Sequence, residues 1–440
     1  MNPRQDALQI FNAAVTAVQP AQLLYAHLSF SGDALKISNH TLPLESFRNL
    51  YVIGAGKAAA AMAVVTEKII GKYITEGIVV TKYGHALPCN RIKILEGAHP
   101  VPDEHCENAV KATVQLLQRA TEHDIIICLI SGGASALWCD VPEGITLEEI
   151  QTTFDKLIKS GASIQEINTV RKHLSSIKGG QLAKYCNGAR LFSLIISDVP
   201  GDDVSVIASG PTIADETTFE DAYTVLIKYD LFQSLPWSIQ AYINAGISGK
   251  IADTPKPGNP VFWNTVNTNI GSNAVALKAA SAKARDLGYS THINTTLIIG
   301  DVEEEAKKLI DSVMAYNSTK PACLLQGGET TVRVTGNGKG GRNQHFVLAA
   351  LNFMDTTEDI TSHNNVLILS GGTDGTDGPT DAAGAIGDAS IIQSAKEKAL
   401  FIQDYLHDHN AYNFFEQTGG LLITGATQTN VMDIMLAIVY

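Results

Sequence analysis

The sequence contains no long apolar run and no paired cysteines. No uninterrupted apolar segment approaches the roughly 20 residues that a membrane helix needs, and the N-terminus lacks the apolar core of a signal peptide. None of the six cysteines lies in a C-x-x-C pair, which argues against a disulfide framework and a zinc site; they are Cys89, Cys106, Cys128, Cys139, Cys186 and Cys323. We therefore expect a soluble, cytoplasmic protein without a membrane partner.

Basic residues are also scarce relative to acidic ones. The chain has 32 lysines and arginines against 45 aspartates and glutamates, which gives a formal net charge of −13. This balance argues against nucleic acid as a partner, but it leaves room for a local basic pocket that holds a small anion. The length of 440 residues and the hydrophobic content of 45% are enough for two domains, each with its own core.

Short apolar runs alternate with helix-like segments along the chain. Runs at residues 51–53, 125–130, 191–196 and 366–369 each lead into a polar, glycine-rich loop. Continuous apolar strands that alternate with helices indicate parallel, doubly wound sheets. We predict an α/β fold with two Rossmann-like, doubly wound domains. Ligands bind at the carboxyl ends of such strands. Two such sheet edges that face one another would form a cleft, so we also predict an interdomain cleft.

The domain boundary is predicted from a passage rich in proline and glycine at residues 254–260. Such passages are typical of linkers between domains. We place an N-terminal domain at residues 1–250 and a C-terminal domain at residues 255–427. The segment 428–440 is predicted to be a helix that completes the first domain.

The most distinctive stretch of the sequence is residues 327–344. Glu329 follows an apolar run, and a glycine-rich loop then leads to Arg342 at the start of a helix-like segment. Glycines let backbone N–H groups turn toward a ligand, and a helix N-terminus favours an anion. The guanidinium of Arg342 suits a carboxylate or phosphate, which it can bind through two parallel hydrogen bonds. This stretch predicts an enzyme that handles anions.

A second glycine loop, at residues 54–59, fits the pattern G-x-G-x-x-A of dinucleotide-binding proteins. The next strand ends in Thr81 and Lys82 instead of the acid that binds the ribose of NAD, so NAD is disfavoured and NADP stays open. The loop is not a Walker A motif, because the four-residue spacer and the Ser or Thr after the lysine are missing. Lys57 suits an anion or a transferring phosphoryl group, although an ordinary turn with a solvated lysine explains the pattern equally well.

A third loop follows the apolar run 125–130. Ser131, Gly132, Gly133 and Ser135 can form a backbone N–H nest for an anion. The G-x-S-x-G pattern of a nucleophilic serine is absent, so phosphate or carboxylate binding is favoured over hydrolysis. The basic residues 171–173 are expected on a solvated helix face, and His99 is expected to be structural.

Aspartates follow two of the apolar runs. They are Asp198, Asp202 and Asp203 in the first half and Asp374, Asp377 and Asp381 in the second. Carboxylates near phosphate nests suit Mg²⁺, which takes one or two protein carboxylates together with nucleotide phosphates. Aspartate also favours turns by bonding its own backbone, which is the simpler explanation for any single one of them.

Taken together, these motifs resemble one family, the class II glycerate 2-kinases with a C-terminal MOFRL domain. The matching stretches extend over nearly the whole chain and include residues 54–58, 131–137, 327–344, 373–383 and 424–433. The resemblance implies ATP-dependent phosphorylation of D-glycerate at its 2-hydroxyl, which gives 2-phosphoglycerate. It also implies that Lys57 and Arg342 are key site residues.

We assign the candidate site accordingly. The candidate catalytic residues are Lys57, Arg342 and Asp198. The candidates for binding substrate or phosphate are Ser131, Gly132, Gly133, Ser135, Glu329, Asn343, Thr373, Asp374, Thr376 and Asp377. Asp198 and Asp374 are the candidate ligands of Mg²⁺. The expected small molecules are D-glycerate, ATP and Mg²⁺, and a homodimer is compatible with the sequence. The alternative function is an NADP-dependent hydroxypyruvate reductase.

Overall fold

The computed structural model describes residues 2–356 and 365–440, which form two compact units. The first unit contains Leu23–Ser197 and Asp202–Ile270. The second unit contains the N-terminal residues up to Gln22, the short segment Asp198–Gly201, and the C-terminal residues from Gly271. The division therefore falls at residue 270 and not at the predicted 250–255, and the N-terminal helix Pro3–Ala17 belongs to the second unit.

The first unit contains two sheets. The strands of the small antiparallel sheet are β1 (Leu28–Ser31), β2 (Ala34–Ile37) and β3 (His40–Pro43). The strands of the large sheet are β4 (Leu50–Ala55), β5 (Glu76–Lys82), β6 (Ile92–Gly97), β7 (Ile125–Ile130), β8 (Arg190–Ile196) and β9 (Thr265–Gly271), in the order β6-β5-β4-β7-β8-β9. The strands from β6 to β8 pair in parallel throughout. Every residue of β4 and β7 is buried, as expected for strands covered on both faces.

Helices connect these strands. Their bounds in the first unit are Ala59–Ile70, Glu104–Leu117, Ala134–Leu137, Leu147–Lys159, Ile164–His173, Phe219–Lys228 and Trp237–Ile247, and the helix Pro20–His27 spans the division between the units. Thr146 and Glu149 form a capping box at the start of Leu147–Lys159, where they satisfy backbone N–H groups that the helix leaves free.

The second unit contains a six-stranded sheet. Its strands are β10 (Ser290–Asp301), β11 (Ala322–Thr331), β12 (Val366–Gly372), β13 (Gly384–Asp388), β14 (Leu421–Leu422) and β15 (Asp433–Val439), in the order β10-β11-β15-β12-β13-β14. Its helices include Asn273–Asp286, Val302–Met314, Arg342–Thr356, Ala389–Glu397, Ile402–His407 and Ala411–Thr418. Only β10 and β11 pair in parallel, and the other pairs are antiparallel.

The predicted α/β fold class is confirmed, with one six-stranded sheet in each unit. The second sheet is mixed and not wholly parallel. The predicted C-terminal helix at 428–440 is wrong, because residues 433–439 form the buried strand β15 in the middle of that sheet. A short apolar run has the same pattern in a buried helix and a buried strand, so periodicity does not separate the two. The interdomain cleft stays a prediction.

No helix among the described residues is long and apolar enough to cross a membrane.

Candidate active site

The loop that carries Lys57 is locked to the loop at residues 131–135. β4 pairs with β7 so that Ala55 lies opposite Ile130, and the two loops therefore begin side by side. Gly56 has φ +137°, and a Cβ there would lie 2.2 Å from the Ser131 hydroxyl oxygen, so no larger residue fits. The Lys57 N–H donates to the Gly132 carbonyl (2.8 Å), and the Ala58 N–H donates to the Ser131 hydroxyl (3.1 Å). Ser131 therefore braces the Lys57 loop.

The next residues of the same loop leave backbone donors free. Within the described residues, the N–H groups of Gly132, Gly133 and Ser135 make no hydrogen bond. The ammonium group of Lys57 likewise has no carboxylate within ion-pair distance in that part of the chain. Free N–H groups beside an unpaired cation form a site for an anion. The structure thus brings together the predicted residues Lys57, Gly132, Gly133 and Ser135.

His99 lies against this loop. A Cβ on Gly133 would lie 3.0 Å from the His99 ring nitrogen Nε2 and 3.2 Å from Cγ of Lys57. Burial, followed by the charges of Lys57 and Lys82, lowers the pKa of His99 to about 4. The ring is therefore neutral at pH 7. The expectation that His99 is only structural stays a prediction, but its place beside Lys57 puts it at the candidate site.

The prediction of a solvated basic face at residues 171–173 is wrong. Lys172 is 7% exposed and its ammonium lies 3.1 Å from Asp215, while His173 is 1% exposed and its Nε2 lies 2.9 Å from Asp253. Both are paired core residues, since buried charges need a partner. Arg171 instead lines a cavity of about 550 Å³, together with His99, Gly133 and Ser135.

In the second unit, two carboxylates hold the guanidinium of Arg342. Nε and Nη2 donate to the two oxygens of Asp433 (2.5 and 3.0 Å), and Nη1 donates to Glu329 (2.5 Å). Burial lowers the pKa of Arg342, but Asp433 and Glu329 raise it by more, so it lies above its ordinary value. Arg342 is thus a fixed cation with two carboxylates, and its remaining N–H donors are available for a ligand.

Asp433, a carboxylate partner of Arg342, is not singled out by the sequence pattern. It lies at the first position of β15, opposite Gly328 on β11 and Gly372 on β12. This register places a fully buried carboxylate between the strand ends that carry Glu329 and Asp374. Since residues 428–440 read as a helix, the sequence contains no signal for this position.

Asp377 occupies the N-terminus of the helix Arg342–Thr356. Its oxygens accept the N–H groups of Asn343 (3.0 Å) and Gln344 (2.9 Å), and its side chain is buried. The protein's own carboxylate therefore takes two N–H groups of this helix terminus, and the binding of a ligand anion there stays a prediction.

We expect the titration of Asp377 to make stability depend on pH. Burial raises the pKa of Asp377 to about 6, against an ordinary value of 3.8. A carboxyl group with a raised pKa stabilises the folded state below pH 4, and that contribution is lost as the pH rises to 6. The loss amounts to about 3 kcal/mol. The free energy of unfolding, measured with urea from pH 4 to 7, should therefore decline more steeply with pH for the parent protein than for Asp377→Asn. Parallel plots of this free energy against pH for the two proteins would contradict the prediction.

The other predicted residues of this unit divide into two sets. Asn343 accepts from the Ser370 hydroxyl (2.6 Å), and Thr373 donates to the Met432 carbonyl (2.6 Å); both are buried and hold the loops together. Asp374 accepts from the N–H and hydroxyl of Thr376 (3.0 and 3.2 Å). Asp374 and Thr376 line a cavity of about 640 Å³ with Glu329, Arg342 and Asp377. Contact of any of these residues with substrate stays a prediction.

Asp198 follows β8 and lies in the segment Asp198–Gly201 of the second unit. No group of three or more His, Cys, Asp or Glu side chains that could hold a metal ion occurs among the described residues. Mg²⁺ needs only one or two protein carboxylates when phosphates supply the rest, so Asp198 and Asp374 stay predictions as its ligands.

Comparison with known proteins matches two separate parts of the chain to family models. Residues 6–244 match a domain of unknown function, DUF4147, and residues 322–433 match the MOFRL family. The glycerate 2-kinase of Pyrococcus horikoshii is 40% identical over 100% of this chain and 98% of that protein. The D-glycerate 2-kinase of Thermotoga maritima is 40% identical over 91% of this chain and 93% of that protein. The crystal structure of glycerate kinase from T. maritima is similar with a TM-score of 0.86 and 38% identity, and 99% of both chains is covered.

Two α/β units, a lysine that has no ion-pair partner among the described residues, and an arginine fixed by carboxylates are typical of an enzyme for anionic substrates. The two matched domains make the assignment specific. The chain belongs to the class II glycerate 2-kinase family, as the sequence motifs predict.

Proposed function

We propose that this protein is an ATP-dependent glycerate 2-kinase that phosphorylates D-glycerate at its 2-hydroxyl to give 2-phosphoglycerate. One observation in particular supports the chemistry. Lys57 has no carboxylate partner within the described residues, and it lies beside three free N–H groups, those of Gly132, Gly133 and Ser135. Phosphoryl transfer needs positioning and compensation of negative charge, and this arrangement supplies both.

The two cations have different surroundings and hence different proposed roles. Lys57 is free to follow a phosphoryl group as it transfers, because no carboxylate of residues 2–356 or 365–440 holds its flexible ammonium. Arg342 is fixed by Asp433 and Glu329, so it presents its remaining N–H groups in a constant direction to a carboxylate or phosphate. Asp198 and Asp374 are the proposed groups for orienting the 2-hydroxyl.

The residues around Asp374 fit a magnesium ion. Thr376 donates to one oxygen of Asp374, and the second oxygen has no partner within the described residues. Carboxylate oxygen is a preferred ligand of Mg²⁺, so Asp374 would hold the ion together with phosphate oxygens, and Asp198 is the second proposed ligand. When bound, the ion would neutralise charge on the phosphates.

The alternative NADP-dependent reductase is disfavoured by the hydrogen bonds of its supposed fingerprint loop. The N–H groups of Gly56, Lys57 and Ala58 donate to Val80, Gly132 and Ser131. A dinucleotide bound by this loop needs such N–H groups for its pyrophosphate, but here the protein uses them itself.

One assay with two arms tests the proposed function. D-glycerate with Mg-ATP should release ADP and form 2-phosphoglycerate, identified by NMR against the 3-phosphate. Hydroxypyruvate with NADPH should show no oxidation of NADPH. Formation of 3-phosphoglycerate would contradict the position of transfer, and NADPH oxidation without ADP release would favour the reductase.

A further inference from the structure

Arg171 is a cation that the proposed chemistry does not yet use. It lies in the last turn of the helix Ile164–His173, with its guanidinium carbon 5.2 Å from the centre of the Phe154 ring. Burial lowers the pKa of Arg171. Within the described residues the guanidinium of Arg171 makes neither a hydrogen bond nor an ion pair, whereas that of Arg342 is held by two carboxylates. The ring of Phe154 offsets only part of the cost of burying this cation, so the position suits an anionic ligand.

The cavity beside Arg171 is larger and less polar than glycerate requires. Its volume is about 550 Å³, and much of its wall is apolar: Pro100, Val101, Ala136, Cys139, Phe154 and Ile158. Glycerate is small and carries an oxygen on each carbon, so it offers no surface for such a wall. A purine nucleoside has broad apolar faces, and cavities of this size and lining are typical of ligands of that kind.

The loop at residues 131–135 lies at the rim of the same cavity. Gly133 and Ser135, whose N–H groups are free within the described part of the chain, line the cavity together with His99. Lys57 adjoins them at Gly133. A nucleotide whose base lies on the apolar wall would therefore have its phosphates at the loop.

We propose that this cavity is the nucleotide subsite of the enzyme, with the base and ribose on the apolar wall around Phe154 and with Arg171 paired to a phosphate oxygen. The proposal rests on the proposed kinase function, because it assigns the site of its donor. It makes Arg171 a binding residue for ATP and leaves the carboxylate of D-glycerate to other groups.

Binding measurements without turnover test this assignment. Isothermal titration would use ADP, inorganic pyrophosphate and D-glycerate as separate probes on the full chain. Arg171→Met keeps an apolar stem over Phe154 and should weaken ADP and pyrophosphate at least about 10-fold, the effect of one charge-assisted hydrogen bond. Thr152→Trp fills the cavity from an exposed position on its wall and should weaken ADP about 10-fold while leaving pyrophosphate unchanged.

Arg119→Met is the matched control, because Arg119 belongs to the same unit but forms a surface ion pair with Glu76. It should change none of the three affinities by more than about twofold. Unchanged ADP binding in both cavity variants would overturn the proposal, as would weaker binding of D-glycerate alone in Arg171→Met. If the two cavity variants weaken ADP binding as expected but the parent protein shows no kinase turnover, the proposed function is refuted and the nucleotide subsite stands.

Discussion

Replacement of Lys57 by methionine is expected to lower kcat/KM for D-glycerate phosphorylation about 10³-fold. The side chain of Lys57 lies against Gly133 of the 131–135 loop through its Cγ, and its ammonium group has no carboxylate partner within the described residues. Its charge is therefore available to the transferring phosphoryl group. The loss should fall mainly on kcat, because an interaction that strengthens in the transition state affects turnover more than binding.

Stability should distinguish this effect from misfolding. Since Lys57 makes no ion pair with any residue that the structure describes, the free energy of unfolding of Lys57→Met should lie within about 0.5 kcal/mol of the parent value. Lys68→Met is the matched control, because Lys68 is an exposed lysine on the helix Ala59–Ile70 that follows the loop. It should leave both kcat and stability unchanged. Near-normal turnover in Lys57→Met would remove Lys57 from its proposed role.

Replacement of Arg342 by methionine should lower both activity and stability. Activity should fall about 10³-fold or more, in line with the loss of an arginine that stabilises phosphoryl transfer. Stability should fall by about 2 kcal/mol, because Asp433 is fully buried and would lose the partner that donates to both its oxygens. Steady-state kinetics and urea unfolding on the same preparation measure the two effects.

A double variant separates the two effects of Arg342. Adding Asp433→Asn to Arg342→Met removes the unpaired carboxylate, so stability should recover in large part while activity stays low. Arg333→Met is the matched control, since Arg333 is exposed and follows β11 in the same unit. If the double variant turned over at a near-normal rate, Arg342 would have only a structural role. Full stability in the single variant would show that Asp433 does not depend on it.

Local patterns were sufficient for the positions of the glycine loops. Each loop follows an uninterrupted apolar run, and a buried strand such as β7 (Ile125–Ile130) has the same bounds in the sequence pattern and in the structure. The α/β class follows from the alternation of such runs with capped helices. Lys57, Gly132, Gly133 and Ser135 converge because neighbouring parallel strands end at one edge of the sheet. That convergence requires only the order of adjacent elements.

Other assignments failed because they depend on long-range packing. The basic residues 171–173 read as a solvated face, yet Lys172 and His173 find partners in Asp215 and Asp253, more than one helix away in the chain. A charged residue on a helix has the same local pattern whether it faces water or a distant carboxylate. Burial of a charge is therefore decided by tertiary contacts, which composition and periodicity do not contain.

The sequence by itself determined the fold class, the family motifs and the identity of Lys57 and Arg342 as candidate site residues, since these depend on residue type and local order. Only the tertiary structure decided what each of them contacts. The register of β15 against β11 and β12 brings Asp433 to Arg342, 91 residues away, and the side chain of Asp377 accepts two N–H groups at the start of the helix Arg342–Thr356. Strand order and register are non-local properties of the chain, because they are set by which apolar faces pack together in the core.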